Sequence, residues 1–485
     1  MYKNLLVSLV FIIGFSQLSA QKLIEATLLE TRTEEELNLV FSFLGVSVNN
    51  GVNTYKIIYE TPDTDGSIDT ASGVLVLPII DSEVPPGIVT YQHGTVSTRE
   101  SVPSRLSQEI FLLYAFSGMG FIGIAPDYLG LGDSRRAIHP YVHADTEASA
   151  AIDLLRASKE YMDAEGIPYS EQLFITGYSQ GGHAGMAMHR EIETNLSNEL
   201  TVTAASHMSG PYNLSSSILS GSRNDDIYEF PSYLAWMFVG YQSVYGGLYD
   251  DLSSVFRPDF IPAVEDFTNE VISLGDLNTF MVEKLTELHG SSFANRIFTE
   301  TFLLDLQTNP NNPIRIALED NDLFDWVPSA PTQLLYCMAD EQVPFTNATI
   351  TDSIMNANGA ASVTSIDINS EEDHGGCVIP ATENTLNFFL QFVNNTTSTR
   401  EVQEELSFIV HPNPASQKLS IRLADNTITQ TLTAQLISLE GRIVIDQPLA
   451  RDNSIDLSTV PSGFYMVRLQ TDKGYWVEKV MVNRF

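Results

Sequence analysis

Hydrophobic and polar positions along the chain change their period twice. Between about residues 54 and 400, short β-branched runs alternate with helical stretches. Tyr55–Tyr59 and Gly73–Leu77 read as strands parted by the turn-rich TPDTDG. Gly87–Gln92, Phe121–Ala125, Leu173–Thr176 and Val202–Ser206 continue the series. Helical spacing appears between the later strands, most clearly over Ala144–Met162, where Ala, Leu and Ile recur on one stripe. Strands alternating with helices predict an α/β fold built on a mainly parallel sheet covered on both faces.

The rhythm breaks over residues 213–330, which are polar, aromatic and helix-leaning, with PSYLAWMFVGYQSVYGGLY near their start. Strand patterns resume at Gln333–Met338 and Val363–Ile368. Because the chain returns directly to the sheet, the insertion is expected to be a helical cap over the sheet's carboxyl edge. The alternative is a separate domain with unrelated work. NNTTSTREVQEE, from Asn394, is polar without an apolar stripe and reads as a linker. Beyond it the period drops to two: Ser420–Leu423, Gly463–Leu469 and Trp476–Val482 are separated by turns such as EGR, PSG and TDKG. That pattern predicts a small all-β sandwich. The expected boundaries are a signal peptide at 1–20, an α/β domain at 21–398 with its cap at about 213–330, a linker at 399–406 and the β module at 407–485.

Composition narrows the function. A length of 485 residues with 43% hydrophobic content is ample for a large core and more than one domain. The formal net charge of −36 comes without Lys or Arg clusters, which argues against nucleic acid as a partner. Lys3 followed by the mostly apolar Leu5–Phe15, then Leu18-Ser19-Ala20, reads as an export signal cleaved before Gln21. The apolar run is too short to span a bilayer, and no later stretch is long and apolar enough to do so. An uncleaved anchor is the rival reading. The chain is therefore expected outside the cytoplasm. Two cysteines, Cys337 and Cys377, make neither a disulfide scaffold nor a zinc cluster.

Candidate chemistry centres on GYSQGG, residues 177–182. QLFIT before it is a strand and HAGMAMHREIE after it is a helix, so Ser179 falls at a strand-to-helix turn. Side chains at 177 and 181 would collide in so tight a turn, which accounts for Gly177 and Gly181. This is a nucleophile elbow, G-x-S-x-G. A serine hydroxyl needs a base to take its proton and a carboxylate to orient that base. Downstream, Asp340 lies on the loop after QLLYCM, with Glu341 as its competitor; Asp352 falls too far into the next helix. His374, in SEEDHGG, follows the strand VTSIDI and precedes the helical ATENTLNFFLQFV. His139, His143, His183, His189, His207, His289 and His411 sit in places that suit structural roles. The expected oxyanion donors are the amides of Gln180, directly after the serine, and Thr95, in the His93-Gly94-Thr95 loop.

The set YQHGT, PDYLGLGDS (126–134), GYSQGGHA, CMADEQVPF and DHGG resembles an α/β-hydrolase, more narrowly a bacterial relative of the secretory lipases, over about residues 50–395. The resemblance implies a serine esterase or lipase without metal or cofactor, and a cap enclosing an acyl pocket. It places the triad on Ser179, Asp340 and His374, with Thr95 and Gln180 as oxyanion donors. FIVHPNPASQKLSI, LEGRIV, IDLSTVPSGFYMVRL and VEKVMV resemble the C-terminal sorting domain of type IX secretion cargo, over about Ser407–Phe485. That resemblance implies the type IX machinery as a partner and a protein that is secreted or attached to the cell surface. A carbohydrate-binding β-module is the alternative for the tail.

The resulting expectation is a secreted serine hydrolase that cleaves small-molecule or lipid carboxylic esters through an acyl-enzyme. A prolyl-type serine peptidase is the rival within enzymes; a non-catalytic surface adhesion module on a hydrolase fold is the rival outside them. Cys337 stands three residues before the expected acid and Cys377 three after the expected base. Contact between Asp340 and His374 would draw the cysteines together, and export permits a disulfide. Two buried thiols are the other arrangement.

Overall fold

The computed structural model describes residues 22–41, 47–81, 85–393, 408–413, 415–423, 433–438, 443–449, 453–470 and 475–482. The expected signal peptide at 1–20 and linker at 399–406 lie outside them.

The β-branched runs fold as strands β1 (Leu23–Arg32), β2 (Gly51–Pro62), β3 (Ile68–Ile79), β4 (Ile88–Gln92), β5 (Ile122–Pro126), β6 (Leu173–Tyr178), β7 (Val202–Met208), β8 (Thr332–Tyr336) and β9 (Val363–Asp367). They form one sheet in the order β1-β2-β3-β5-β4-β6-β7-β8-β9. From β5 to β9 every pairing is parallel, while β1, β2 and β3 join antiparallel at one side. All five residues of β4 and all six of β6 are buried, as expected for central parallel strands covered on both faces.

Alternate residues of β3 sort onto the two faces. Leu75 and Leu77 share a core with helices α3 (Ala144–Glu165) and α4 (Gln180–Asn195). Val74 and Val76 share the opposite core with α1 (Glu34–Phe41) and α2 (Ile110–Gly118). Between β7 and β8 come six helices: α5 (Leu214–Arg223), α6 (Pro231–Tyr245), α7 (Ile261–Thr268), α8 (Leu274–His289), α9 (Glu300–Thr308) and α10 (Pro313–Asp320). Together with Tyr141 and Val142 they build a further core from Trp236, Phe238, Phe256, Phe260, Phe298 and aliphatic neighbours. After β8, α11 (Thr346–Ala357) and α12 (His374–Leu390) complete the layers.

Three elements depart from expectation. Strand β1 and helix α1 occupy a stretch with no predicted element. In β1 the burial pattern lacks strict alternation, because the strand is at the sheet's edge and pairs on one side with β2. Helix α12 begins at His374 itself, not beyond Pro380. Gly375, Gly376 and Pro380 disfavour helix locally, and contacts from outside the segment override that preference.

The tail forms strands β10 (Phe408–His411), β11 (Lys418–Leu423), β12 (Thr433–Ser438), β13 (Ile443–Pro448), β14 (Ser454–Asp456), β15 (Gly463–Gln470) and β16 (Tyr475–Val482). These make two antiparallel sheets, β10-β11-β14 and β13-β12-β15-β16. Leu419, Ile421 and Ile455 of the first share a core with Leu436, Val467 and Val480 of the second, which makes the tail a sandwich.

Candidate active site

Strand β6 delivers Ser179 to the carboxyl edge of the sheet, where the chain reverses into α4. Ser179 has φ 59° and ψ −121°, a strained conformation for a residue with a side chain. The glycines beside it are sterically obligatory. A Cβ on Gly177 would lie 2.1 Å from the carbonyl oxygen of Gly181, and one on Gly181 would lie 1.9 Å from that of Gln92.

Two loops converge on this turn. After β8, Asp340 accepts hydrogen bonds at Oδ1 from the amides of Gln342 (3.0 Å) and Val343 (2.8 Å), leaving Oδ2 to face His374 Nδ1 at 2.7 Å. His374 Nε2 lies 2.9 Å from Ser179 Oγ. The structure thus brings Ser179, Asp340 and His374 into one hydrogen-bonded line. The acid and the imidazole are buried, and Ser179 is partly exposed. Glu341 plays a different part: its Oε2 accepts the backbone amide of His374 at 3.0 Å. The Tyr178 hydroxyl donates to the His374 carbonyl at 2.5 Å. Asp352 lies on α11 and holds Ser365.

The expected oxyanion donors belong to the residue after Ser179 and to the loop after β4. The Gln180 amide opens α4, where no i−4 helical carbonyl is available to it. The loop carrying Thr95 passes close by: a Cβ on Gly94 would come 3.9 Å from Ser179 Cβ. Gly94 keeps its backbone outside the left-handed region. Its amide donates to Glu109 Oε2 at 3.2 Å, and Thr95 Oγ1 is held by the Tyr141 hydroxyl at 2.8 Å. The PDYLGLGDS segment buttresses this loop. Tyr128, at φ 72°, donates its hydroxyl to the His93 carbonyl and packs its ring 4.3 Å from the His93 ring.

Behind the turn lies a buried polar network that the sequence pattern did not expose. Glu147 accepts from His183 Nδ1 at 2.7 Å and from Gln180 Nε2 at 2.9 Å. The same Gln180 nitrogen lies 2.8 Å from His139 Nε2, while His139 Nδ1 donates to the Leu129 carbonyl at 2.7 Å. Burial pushes the His139 imidazole down to about 3, so it stays neutral and accepts from Gln180. His139 and His183, read from sequence as structural, hold the side chain next to the candidate nucleophile. The partners are 33 to 41 positions from Gln180 or on its own helix, and only the fold unites them.

A cleft of about 600 Å³ opens beside Ser179 and Gln180. One wall comes from the inserted helices, with Ser216, Ser217, Ile218, Tyr233, Met237 and Phe298; another comes from the Asp340 loop, with Gln342, Val343 and Asn347. Among the described residues, the charged side chains along it are the carboxylates of Asp226 and Glu341, with neither Lys nor Arg. Among the described residues, no three His, Cys, Asp or Glu side chains converge as a metal site would require, and no helix is long and apolar enough to cross a membrane.

Cys337 and Cys377 are joined, each fully buried, beside the Asp340–His374 contact. Of the two arrangements left open by the sequence, the structure has the disulfide.

A mostly parallel sheet, a serine at a strained strand-to-helix turn and a helical insertion beside it define an α/β-hydrolase fold, and the family that the chain matches makes it a hydrolase acting on esters. The secretory lipase family matches residues 101–399, and the chain belongs to that family. A secretion-system C-terminal sorting domain matches residues 409–483, which makes the protein a type IX secretion cargo, secreted or held at the cell surface. Among solved structures, the rice cell wall degrading esterase LipA from Xanthomonas oryzae is similar at 27% identity, covering 76% of this chain and 95% of that one, with a TM-score of 0.66. Candida antarctica lipase A in its closed state shares the fold at 16% identity, covering 78% of this chain and 84% of that one, with a TM-score of 0.58. A search of curated protein sequences returned no significant match.

Proposed function

We propose that this secreted ester hydrolase works through Ser179, His374 and Asp340 by way of an acyl-enzyme. The observation that carries the reading is the unbroken line Ser179 Oγ–His374 Nε2–His374 Nδ1–Asp340 Oδ2, at 2.9 and 2.7 Å. His374 Nε2 takes the hydroxyl proton as Ser179 Oγ attacks the ester carbonyl carbon. The amides of Gln180 and Thr95 hold the oxyanion. As the tetrahedral intermediate collapses, His374 returns the proton to the departing alkoxide, and the alcohol leaves. Water then attacks the acyl carbon, gives its proton to His374, and the carboxylic acid departs with Ser179 restored. Asp340 keeps the Nδ1 proton in place and stabilises the imidazolium without being protonated itself.

The substrate is proposed to be an uncharged carboxylic ester. The mixed aromatic, aliphatic and serine-bearing lining supports this, and its two carboxylates disfavour an anionic acyl group. We assign residues 21–398 to this chemistry and 407–485 to export. Initial rates on p-nitrophenyl esters of rising acyl length, with a prolyl peptide alongside, test the assignment. Turnover of esters that vanishes in Ser179→Ala supports it; preferential cleavage of the peptide overturns it in favour of a peptidase.

A further inference from the structure

The candidate base stands on a helical turn that its own sequence does not favour. His374 is the first residue of α12, and it is followed by Gly375, Gly376, Cys377 and, one turn on, Pro380. Two glycines carry a high conformational entropy into the first turn. Pro380 has no amide to give the Gly376 carbonyl, and its ring crowds that oxygen. The turn is held by groups from elsewhere: the amide of His374 by Glu341, its carbonyl by Tyr178, and Cys377 by the covalent bond to Cys337. Within the segment, Asp373 caps the helix by accepting the Gly376 amide at 2.7 Å.

The covalent link is placed to matter for the chemistry. Cys337 immediately follows β8, and its carbonyl accepts the amide of Asp340 at 3.2 Å, forming the turn that presents the carboxylate. Cys377 lies one helical turn after His374, with its amide on the Asp373 carbonyl at 3.0 Å. The bond therefore fastens the loop of the acid to the turn of the base, and both sulfurs are sealed in the core with Met208, Leu335 and Ala381.

We infer that the Cys337–Cys377 disulfide is a positioning device for the catalytic pair: it fixes the first turn of α12 against the Asp340 loop, so that full turnover requires oxidation of the two thiols. This rests on the triad reading above. Joining the thiols releases two electrons and two protons to the thiol-oxidising catalysts of the compartment the chain enters on export. A chain with both thiols reduced then folds its sheet but holds His374 loosely.

The test uses the protein as secreted, well below its melting temperature. In Cys337→Ala/Cys377→Ala, kcat should fall by roughly tenfold to a hundredfold, as expected for a misplacement of about 1 Å, while KM stays within about twofold. Adding Gly375→Ala should return much of the lost kcat. That position has room, since the nearest atom to an added Cβ is Asp373 Oδ1 at 3.6 Å, and alanine stiffens the turn without touching the sulfurs. Leu154→Ala, in the opposite core, serves as a control that destabilises the fold away from the pair. Unchanged kcat in the folded double variant overturns the inference, as does an equal loss of kcat in a Leu154→Ala chain with a matching fall in melting temperature. Should the double alanine chain not accumulate, Cys337→Ala/Cys377→Val restores buried volume and allows the same comparison. Ser179→Ala separates the two levels of argument: full activity there refutes the triad itself, whereas an inactive Ser179→Ala beside a fully active cysteine variant refutes only the positioning role.

Discussion

Gly181→Ala is the sharpest probe of how the serine is presented. The added methyl would lie 1.9 Å from the carbonyl oxygen of Gln92, 2.6 Å from its carbonyl carbon and 2.8 Å from the carbonyl oxygen of His93. All three are backbone atoms, so no side chain can swing aside. Ordinary contact begins near 3.4 Å, and the start of α4 must therefore part from the end of β4 by about 1.5 Å. Overpacking of this kind costs about 1–3 kcal/mol in stability, occasionally more. The same displacement moves Ser179 and the Gln180 amide together, and a shift of about 1 Å at reacting groups is enough for a loss near 100-fold. The expected result is a kcat on p-nitrophenyl butyrate reduced about 100-fold or more, with far-ultraviolet circular dichroism still native below the melting transition. Gly275→Ala, exposed near the start of α8 with its nearest neighbour at 3.7 Å, is the matched control and should keep both activity and stability. A Gly181→Ala chain with wild-type kcat and melting temperature would refute the steric reasoning.

Ser179→Ala should abolish ester hydrolysis without altering the melting temperature, and stoichiometric phosphonate labelling of Ser179 should be lost with it. Asp340→Asn and His374→Ala should each lower kcat by about four orders of magnitude, measured under saturating ester. Acid should destabilise the fold through His139. Burial holds its folded value at about 3, so between its unfolded value near 6.5 and pH 3 the unfolded chain binds a proton that the native chain refuses, and stability is lost as pH falls. The cost is on the order of 3 kcal/mol at pH 4, and urea titrations at pH 7 and 4 that gave equal unfolding free energies would contradict it. A chain of residues 21–400 should hydrolyse esters with unchanged kcat/KM, because the buried cluster of the tail draws on tail residues alone. Intact mass of the secreted protein, expected to lack both the leader and the tail, checks the export assignment.

Much of this architecture was legible because its signals are local. The elbow announces itself through Gly177 and Gly181, whose necessity follows from one tight turn. The inner strands read clearly because parallel strands buried on both faces are short, mostly apolar runs, as in Leu173–Thr176. Strand β1 escaped because LIEATLLETR at a sheet edge mixes polar and apolar residues on both faces. The helical setting of His374 escaped for the opposite reason: HGGCVIP reads as a loop, and Glu341, Tyr178 and Cys337 impose the helix from three other parts of the chain. The network of His139, Glu147, Gln180 and His183 had no local signature at all, since each residue type is unremarkable where it stands. The pairing of Cys337 with Cys377 was left open between a bond and two thiols, because spacing alone cannot say whether two sulfurs approach.

The inserted helices carry their own aromatic core, separate from the two cores that flank the sheet. The wall of the cleft that these helices supply thus has a different foundation from the Asp340 loop and the other machinery. Exchanging residues that face the cleft, such as Ser216, Ile218 or Met237, perturbs a shell whose buried cluster is distinct from those that pack the strands holding Ser179, Asp340 and His374, and that meets the site's loops through Tyr141 and Val142. Such an arrangement lets lineages re-tailor the chamber to new esters while inheriting the reaction intact. It also marks the segment between β7 and β8 as the piece to transplant when selectivity, rather than rate, is to be changed.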